Sequence, residues 1–262
     1  MDKEKGTFFC FSCRHICSLT EYVEKVSGKT FFQAERLIKS MEQDVDISAL
    51  LNKTLEVKPE FVPFDEVMVR RLHAQAMESP RALRYFEGRQ INTSSMDKFL
   101  LGYSDKQDMV TVPVHSPDGK ILVGFVGRSV EGKEFKNTPG LPKSKVLFNL
   151  HRARKYDSVF VVESSFDAIR LDQNGLGAVA TLGANVSTQQ LELMKKYFNS
   201  VIVVADNDEA GKKMQERVLT RLQNRAIIVS LPTRFKDIGD MTDSDIQQLN
   251  NKTSDPLLSI NI

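Results

Sequence analysis

Between residues 156 and 245 four short apolar runs alternate with helical segments; two of the runs lead directly into acidic residues, and acids follow a third within a short loop. The runs are Ser158–Val162, Gly177–Thr181, Val201–Ala205 and Ala226–Leu231. Between them lie the helical patterns Phe166–Gln173, Thr188–Phe198 and Glu209–Gln223. A strand that is apolar at successive positions must be covered on both faces. Strands of that kind separated by helices pair in parallel. The segment is therefore expected to form a β-α-β-α-β-α-β unit of the α/β class.

In open parallel sheets ligands gather at the carboxyl ends of the strands. Glu163 ends the first run, and Asp206 and Asp208 follow the third. Lys236-Asp237-Ile238-Gly239-Asp240 follows the fourth, and Asp167 lies four residues beyond Glu163, about one helical turn into the next helix. A lone Asp after a strand is usually a helix cap or an exposed loop acid. Acids at three strand ends of one small sheet repel one another, and a divalent cation relieves that repulsion. Magnesium takes oxygen ligands, uses one or two protein carboxylates and keeps waters that phosphates replace. Two such ions about 3.5–4 Å apart serve phosphoryl transfer by activating a hydroxyl and stabilising the leaving group.

The formal net charge of +2 conceals an uneven distribution. Between Gly119 and Lys155 nine Lys and Arg (Lys120, Arg128, Lys133, Lys136, Lys143, Lys145, Arg152, Arg154, Lys155) face two Glu, Glu131 and Glu134. A basic centre beside an acidic edge suits a chain that holds a polyanion near a metal site, although a solvated lysine-rich surface gives the same count. No apolar run approaches the roughly 20 residues that span a bilayer, and MDKEKGTFF lacks a signal core, so a cytoplasmic, membrane-free location is expected. Cys10, Cys13 and Cys17 crowd the first 17 residues, which in a reducing compartment favours metal over disulfides.

The remaining organisation is coarser. Residues 1–41 hold the cysteines and two helical segments, Ser18–Val26 and Phe31–Met41, the second with Thr30 placed to cap it. Residues 42–63, with EVKPEFVP, read as a linker, and 246–262 as a tail. Residues 64–155 start with helical patterns through Gly88. The strands Met109–His115 and Lys120–Val130 follow, joined by the turn Ser116-Pro117-Asp118-Gly119, with a further turn at Asn137-Thr138-Pro139-Gly140.

The series Glu163-Ser164-Ser165-Phe166-Asp167, Thr181-Leu182-Gly183, Asp206-Asn207-Asp208-Glu209-Ala210-Gly211 and Lys236-Asp237 resembles the Toprim domain of primases, topoisomerases and some nucleases. Ser164-Ser165 stands where that family usually has Gly and an aromatic, and Asp240 sits one place later than its second acid. Upstream, Gly124-Phe125-Val126-Gly127-Arg128, Phe135-Lys136-Asn137-Thr138-Pro139-Gly140, Pro142-Lys143-Ser144 and Leu147–Arg154 run in the order of the DnaG-like primase catalytic core. Glu134 replaces the lysine usual in that second segment, leaving Lys133 or Lys136 to take its part. Phe8–Cys13 followed by a helix resembles the second half of the primase zinc ribbon, without the upstream half that completes four ligands.

The resemblance implies a Toprim parallel sheet at 156–245, flanked by helices. A basic mixed α+β primase core subdomain (64–155) and a partial zinc ribbon would precede it. It implies catalytic roles for Glu163, Asp206 and Asp208, and Mg²⁺ or Mn²⁺ held by Glu163, Asp167, Asp206, Asp208, Asp237 and Asp240. Zn²⁺ would fall to Cys10 and Cys13, an incomplete set. Nucleotides or nucleic acid would be held by Arg128, Lys136, Asn137, Lys143 and Lys145. The implied activity is synthesis of short RNA primers on single-stranded DNA from NTPs, beside a separate replicative helicase, since no G-x-x-x-x-G-K-[ST] occurs. The compactness is phage-like, which would make the location a host cytoplasm. The rival expectations are a Toprim nuclease or topoisomerase-related protein, and a non-catalytic binder of single-stranded DNA. None of the five tyrosines has the context of a topoisomerase nucleophile.

Overall fold

The computed structural model describes residues 7–9, 16–41, 61–132 and 134–253. Cys10, Cys13, Lys133 and most of the expected linker and tail lie outside the described residues. The chain divides into two compact units, Met1–Glu60 and Phe61–Ile262.

In the first unit, β1 (Thr7–Phe9) and β2 (Ile16–Ser18) form an antiparallel pair, Phe8↔Cys17 at its centre. The Phe8 ring stacks on Tyr22 with centroids 4.8 Å apart. Helix α1 (Leu19–Ser27) starts at a capping box, with Ser18 accepting from the Glu21 N–H and Glu21 accepting from the Ser18 N–H. It ends on Gly28 at φ 65, a left-handed turn that favours glycine. Helix α2 (Phe31–Met41) follows. Cys17 is a free thiol in β2.

The second unit begins with α3 (Glu66–Glu78) and α4 (Pro80–Gly88), which the side chains of Asp65 and Ser79 cap. Pro80 opens α4, where a missing N–H costs nothing. A short helix α5 (Thr93–Phe99), capped by Asn92, was not evident from periodicity because two turns carry too little pattern. Next comes an antiparallel sheet in the order β3 (Gly102–Ser104), β4 (Met109–His115), β5 (Leu122–Ser129), β6 (Phe135–Asn137). The expected β4–β5 hairpin is present, with Gly119 at φ 79 and Asp118 accepting from Ser116 Oγ and the Lys120 N–H. The edge strand β6 lies just before the turn expected at 137–140, and three exposed or half-exposed residues gave it no alternation to read.

After α6 (Leu150–Ala153) the chain builds β7 (Ser158–Val162), α7 (Ser165–Gln173), β8 (Ala178–Ala180), α8 (Thr188–Tyr197), β9 (Ser200–Val203), α9 (Glu209–Leu222) and β10 (Ala226–Ile228). The four strands pair entirely in parallel in the order β10-β9-β7-β8. In β7, Val159 and Val161 pack into one apolar cluster with Met194 and Val218. Phe160 and Val162 enter the other, with Phe86, Met96 and Phe166. Both faces are covered, which is why β7 is apolar at successive positions. The second cluster also fuses the two sheets into one core.

The chain closes with α10 (Asp243–Thr253), which turns the start of the expected tail into packed structure through Ile246 and Leu249. Arg170, 1% exposed, bonds to Gln90 and Met241 carbonyl oxygens and to Asp243, so one buried guanidinium joins α7 to α10 and the α4–α5 connection. Among the described residues no helix is long and apolar enough to cross a membrane.

Candidate nucleotidyl-transfer site

The parallel sheet reverses its winding between β7 and β9: β7 leads to β8 on one side, and the chain then returns to place β9 on the other. A crevice opens at the carboxyl end of such a switch point. Glu163 follows the last residue of β7 and Asp206 stands three past the end of β9, so chain order alone delivers both to this crevice. Leu182 at φ 61 and Gly183 at φ 137 add strained backbone after β8, held by the Gly183 N–H donating to Glu163 O and Thr181 Oγ1 donating to Gly183 O.

The remaining acids are brought in by the loop after β10. Asn207 Nδ2 donates to Phe235 O at 2.8 Å, and its N–H donates to Lys236 O, fastening the Asp206 loop to the Asp237 loop. A Cβ at Gly211 would stand 2.2 Å from Asp206 O, so α9 can begin this close only with glycine there. A Cβ at Gly239 would stand 3.0 Å from Asp237 Oδ1 and 3.5 Å from Asp167 Oδ1, so that glycine gives the two carboxylates room to approach. Glu163, Asp167, Asp206, Asp237 and Asp240 line one cleft of about 950 Å³. Asp208 does not line it. Its carboxylate caps α9 by accepting from the Gly211 N–H at 2.8 Å.

The opposite wall is basic. Register decides which residues form it: Val126↔Asn137, Gly127↔Lys136 and Arg128↔Phe135 are paired across β5 and β6. Side chains alternate along a strand, so Val126, Arg128, Phe135 and Asn137 line the cleft, whereas Lys136 does not. Lys143 also lines it, on a loop that Gln190 Nε2 secures by lying 3.0 Å from Lys143 O, 2.9 Å from Val146 O and 2.9 Å from Thr181 O. Lys145, one turn away, is not among the lining residues.

Sequence reasoning missed Arg84, Tyr85, Arg89 and Lys236, all of which line the cleft. The first three belong to α4 and its C-terminus, more than 70 residues from Glu163, and nothing local marks an exposed helix arginine as facing a distant sheet. The one available signal was spacing, because Arg84, Tyr85 and Gly88 share a helix face at intervals of three and four. The Arg89 guanidinium lies 5.0 Å from the Tyr85 ring centroid and 5.1 Å from that of Phe166, which holds it over two aromatic faces.

The acids are electrostatically crowded. Burial, then Asp206 and Asp208, push Glu163 up to about 7. Burial, then Asp237 and Asp208, push Asp206 up to about 6. Asp167, 4% exposed, is driven well above the carboxylate range by burial and by Asp237 and Asp206.

Five buried side-chain polar atoms lack a hydrogen-bond partner among the described residues: Tyr85 Oη, Asn137 Oδ1, Asn149 Oδ1, Glu163 Oε1 and Arg170 Nε. Three of them, those of Tyr85, Asn137 and Glu163, belong to residues that line this cleft. Buried polar atoms are normally paired, so the concentration marks a place prepared for a polar ligand. Among the described residues no three His, Cys, Asp or Glu already stand together in metal-binding geometry. The unpartnered Glu163 oxygen, in the cleft that Asp206 and Asp237 also line, still fits a hard cation that takes few protein ligands and keeps its waters.

Residues 160–242 match the Toprim-like family model. Over 157 residues the chain is 36% identical to a DNA primase of Synechococcus elongatus, covering 55% of this chain and 22% of that protein. Other curated relatives it matches are DNA primases of which it spans about half the length. The fold is that of the Aquifex aeolicus primase zinc-binding and RNA polymerase domains, with TM-score 0.61, 22% identity, and coverage of 95% of this chain and 73% of that one. A DnaG primase catalytic domain solved with bound single-stranded DNA superposes with TM-score 0.58 at 18% identity, covering 71% of this chain and 78% of that one. The chain is thus similar to DnaG-type DNA primases and carries their core fold.

Proposed function

We propose that the cleft joins ribonucleotides on a single-stranded DNA template, making short RNA primers for DNA replication. The observation that carries this reading is the convergence of five carboxylates, the cations Arg84, Arg89, Arg128, Lys143 and Lys236, and three unpartnered polar atoms on one cleft. A nuclease needs the acids, but it has less use for a wall of cations facing them across a space that holds a nucleotide. The similarity to DNA primases points the same way.

The chemistry is attack of a ribonucleotide 3′-oxygen on the α-phosphorus of the next NTP. An O–P bond forms, the bond to the β-phosphate oxygen breaks, and pyrophosphate leaves. Glu163 Oε1 has no hydrogen-bond partner among the described residues, and with a pKa raised to about 7 it can take the hydroxyl proton near neutral pH. Arg128 and Arg89 present planar forks suited to phosphate oxygens, and Lys143 and Lys236 act as point charges. Asp206, Asp237 and Asp240, with Glu163 and Asp167, are the groups that would hold Mg²⁺ or Mn²⁺. The ion would supply neutralisation of the phosphate oxygens and a more acidic hydroxyl. Asp208 caps α9 with one carboxylate oxygen, raises the pKa values of Glu163 and Asp206 by its charge, and has a second oxygen to offer the ion. Cys10 and Cys13 are proposed to supply two of the four ligands of a zinc site.

The partners proposed are single-stranded DNA, NTPs and a separate replicative helicase, in a bacterial or phage-infected cytoplasm. Incubation with single-stranded DNA, NTPs and Mg²⁺ or Mn²⁺ tests the reading. Labelled dinucleotides and longer RNA are expected, and Asp206→Ala should abolish them. Cutting of labelled DNA in the absence of NTPs would show a nuclease instead.

A further inference from the structure

Arg81, on the first turn of α4, ties that helix to two loops of the antiparallel sheet. Its Nε donates to Asp108 Oδ1 and its Nη2 to Asp108 Oδ2, both at 2.6 Å, and Nη2 also lies 2.6 Å from Glu131 Oε1. The guanidinium is thus bidentate on one carboxylate and shared with a second. Asp108, just before β4, has φ 48, a left-handed conformation that Asp adopts more readily than most residues. Its Oδ1 accepts from the buried Tyr103 hydroxyl at 2.8 Å, and its carbonyl oxygen accepts from the Val130 N–H at 3.2 Å. The Arg81 and Tyr103 hydrogen bonds hold the Asp108 carboxyl down to about 2, so it is ionised near neutral pH.

The contact spans two walls of the cleft. Arg84 and Arg89 line it from α4 and its C-terminus, and Arg128 lines it from β5. Glu131 lies two residues past the end of β5, on the connection to β6. Apolar packing fixes α4 to the parallel sheet through Phe86 and Phe166, but it scarcely reaches the far end of the β5–β6 hairpin. Val130 packs against the core, whereas β6 contributes no buried residue. Among the described residues, the ion pair that joins that end to α4 is Arg81–Glu131. Stability alone does not account for it. The Arg81 and Glu131 side chains are 40% and 76% exposed, and exposed pairs contribute little to folding. A planar fork held by two carboxylates fixes direction and distance instead.

We propose that Arg81 is a positioning residue. Through Asp108 and Glu131 it fixes how far the β5–β6 hairpin stands from α4, and so the separation of Arg128 from Arg84 and Arg89. Those cations must grip one set of phosphates together, so their spacing sets the affinity for an NTP. The acids stand on the other sheet and keep their places when the clasp opens. Loss of the clasp therefore raises KM and spares kcat. The assignment rests on the nucleotidyl-transfer reading of the cleft and adds to it the contact that sets the width of its basic side.

Glu131→Gln cuts only the exposed arm of the clasp, and Arg81→Lys keeps the charge but loses the fork. Both are made in the full chain. Hydrogen exchange at the amides of Ser129 and Phe135–Asn137 reads the hairpin directly, and should quicken roughly threefold to fivefold in each variant, the size of one exposed ion pair. Anisotropy of a fluorescently labelled ATP with Mg²⁺ should show binding weakened by a similar factor. In primer synthesis KM for NTPs should rise likewise, with kcat and the melting temperature unchanged. At about 1 M salt, where the Debye length falls to about 3 Å, the exchange rates of wild type and Glu131→Gln should converge. Wild-type exchange and affinity in both variants overturn the proposal, as does a fall in kcat with KM unmoved. A melting temperature that drops in step with affinity shows a structural contact only, and overturns it too. If exchange and ATP affinity change as expected but the wild type makes no primers, the clasp stands and the synthetic reading fails.

Discussion

Removing one charge from the acid cluster is expected to stabilise the fold while destroying the chemistry, and Asp206→Asn is the sharpest case. Asp206 is half-buried among Asp237, Asp208 and Asp240, and its pKa stands at about 6 against an ordinary 3.8. The folded chain therefore binds that proton more tightly than the unfolded chain. Its contribution is fully present below about pH 4 and is lost as pH rises through about 6, so the carboxylate opposes folding at pH 8. The full shift of about two units corresponds to roughly 3 kcal/mol, and solvent screening at a half-exposed group reduces this to roughly 1–2 kcal/mol. For a domain of about 200 residues that is a rise of roughly 3–6 °C in Tm. Thermal unfolding at low salt and without divalent ions, at pH 8 and again at pH 5, measures it. The gain should appear at pH 8, shrink to about half at pH 5, and vanish below about pH 4, where Asp206 is protonated in the folded and the unfolded chain alike. Added Mg²⁺ should raise the melting temperature of the wild type and leave the variant nearly unmoved. A variant that melts at or below the wild type at pH 8, or keeps its full gain at pH 5, would refute the reasoning.

Other consequences follow from individual contacts. Glu163→Gln should lower primer synthesis by about 10²- to 10⁴-fold while single-stranded DNA binding, read by fluorescence anisotropy, stays within a few-fold, because the proton acceptor is lost and the cations that grip the nucleic acid remain. Gly211→Ala places a Cβ 2.2 Å from Asp206 O, so α9 must shift. Activity should fall steeply, with a loss of roughly 1–3 kcal/mol in urea unfolding. Asn207→Ala cuts the amide link to Phe235 O between the two acidic loops. It should cost about 1 kcal/mol and raise the concentration of Mn²⁺ needed for half-maximal activity. Arg170→Ala removes the buried guanidinium shared by Gln90 O, Met241 O and Asp243, each of which keeps one other donor, and denaturant unfolding should show a loss of roughly 1–3 kcal/mol.

Much of the half that carries the acids is written locally. Residues such as Val159–Val162 carry their burial in their own side chains, and Glu163 and Asp206 stand at the ends of the strands that hold them. A short periodic segment with its caps needs no distant partner to be recognised. The basic half is different in kind. Lys136 and Arg128 look alike as cations in a sequence, and only the β5–β6 register puts one in the cleft and the other outside it. Asp208 reads as the twin of Asp206, yet the start of α9 takes its carboxylate as a cap. Arg84 and Arg89 sit on a helix whose relation to the acidic sheet is set by the shared core around Phe86 and Phe166.

Burial and chain order along the polypeptide thus determined the parallel sheet, its strand-end acids and the class of chemistry they favour. Those features depend on hydrophobic pattern and on the carboxyl-end geometry of strands, both local properties. The tertiary structure alone decided which cations face the acids, that Arg81 reaches both Asp108 and Glu131, and that three unpartnered atoms share one cleft. Each of those depends on register and packing between segments far apart in the chain, and no nearest-neighbour pattern encodes them.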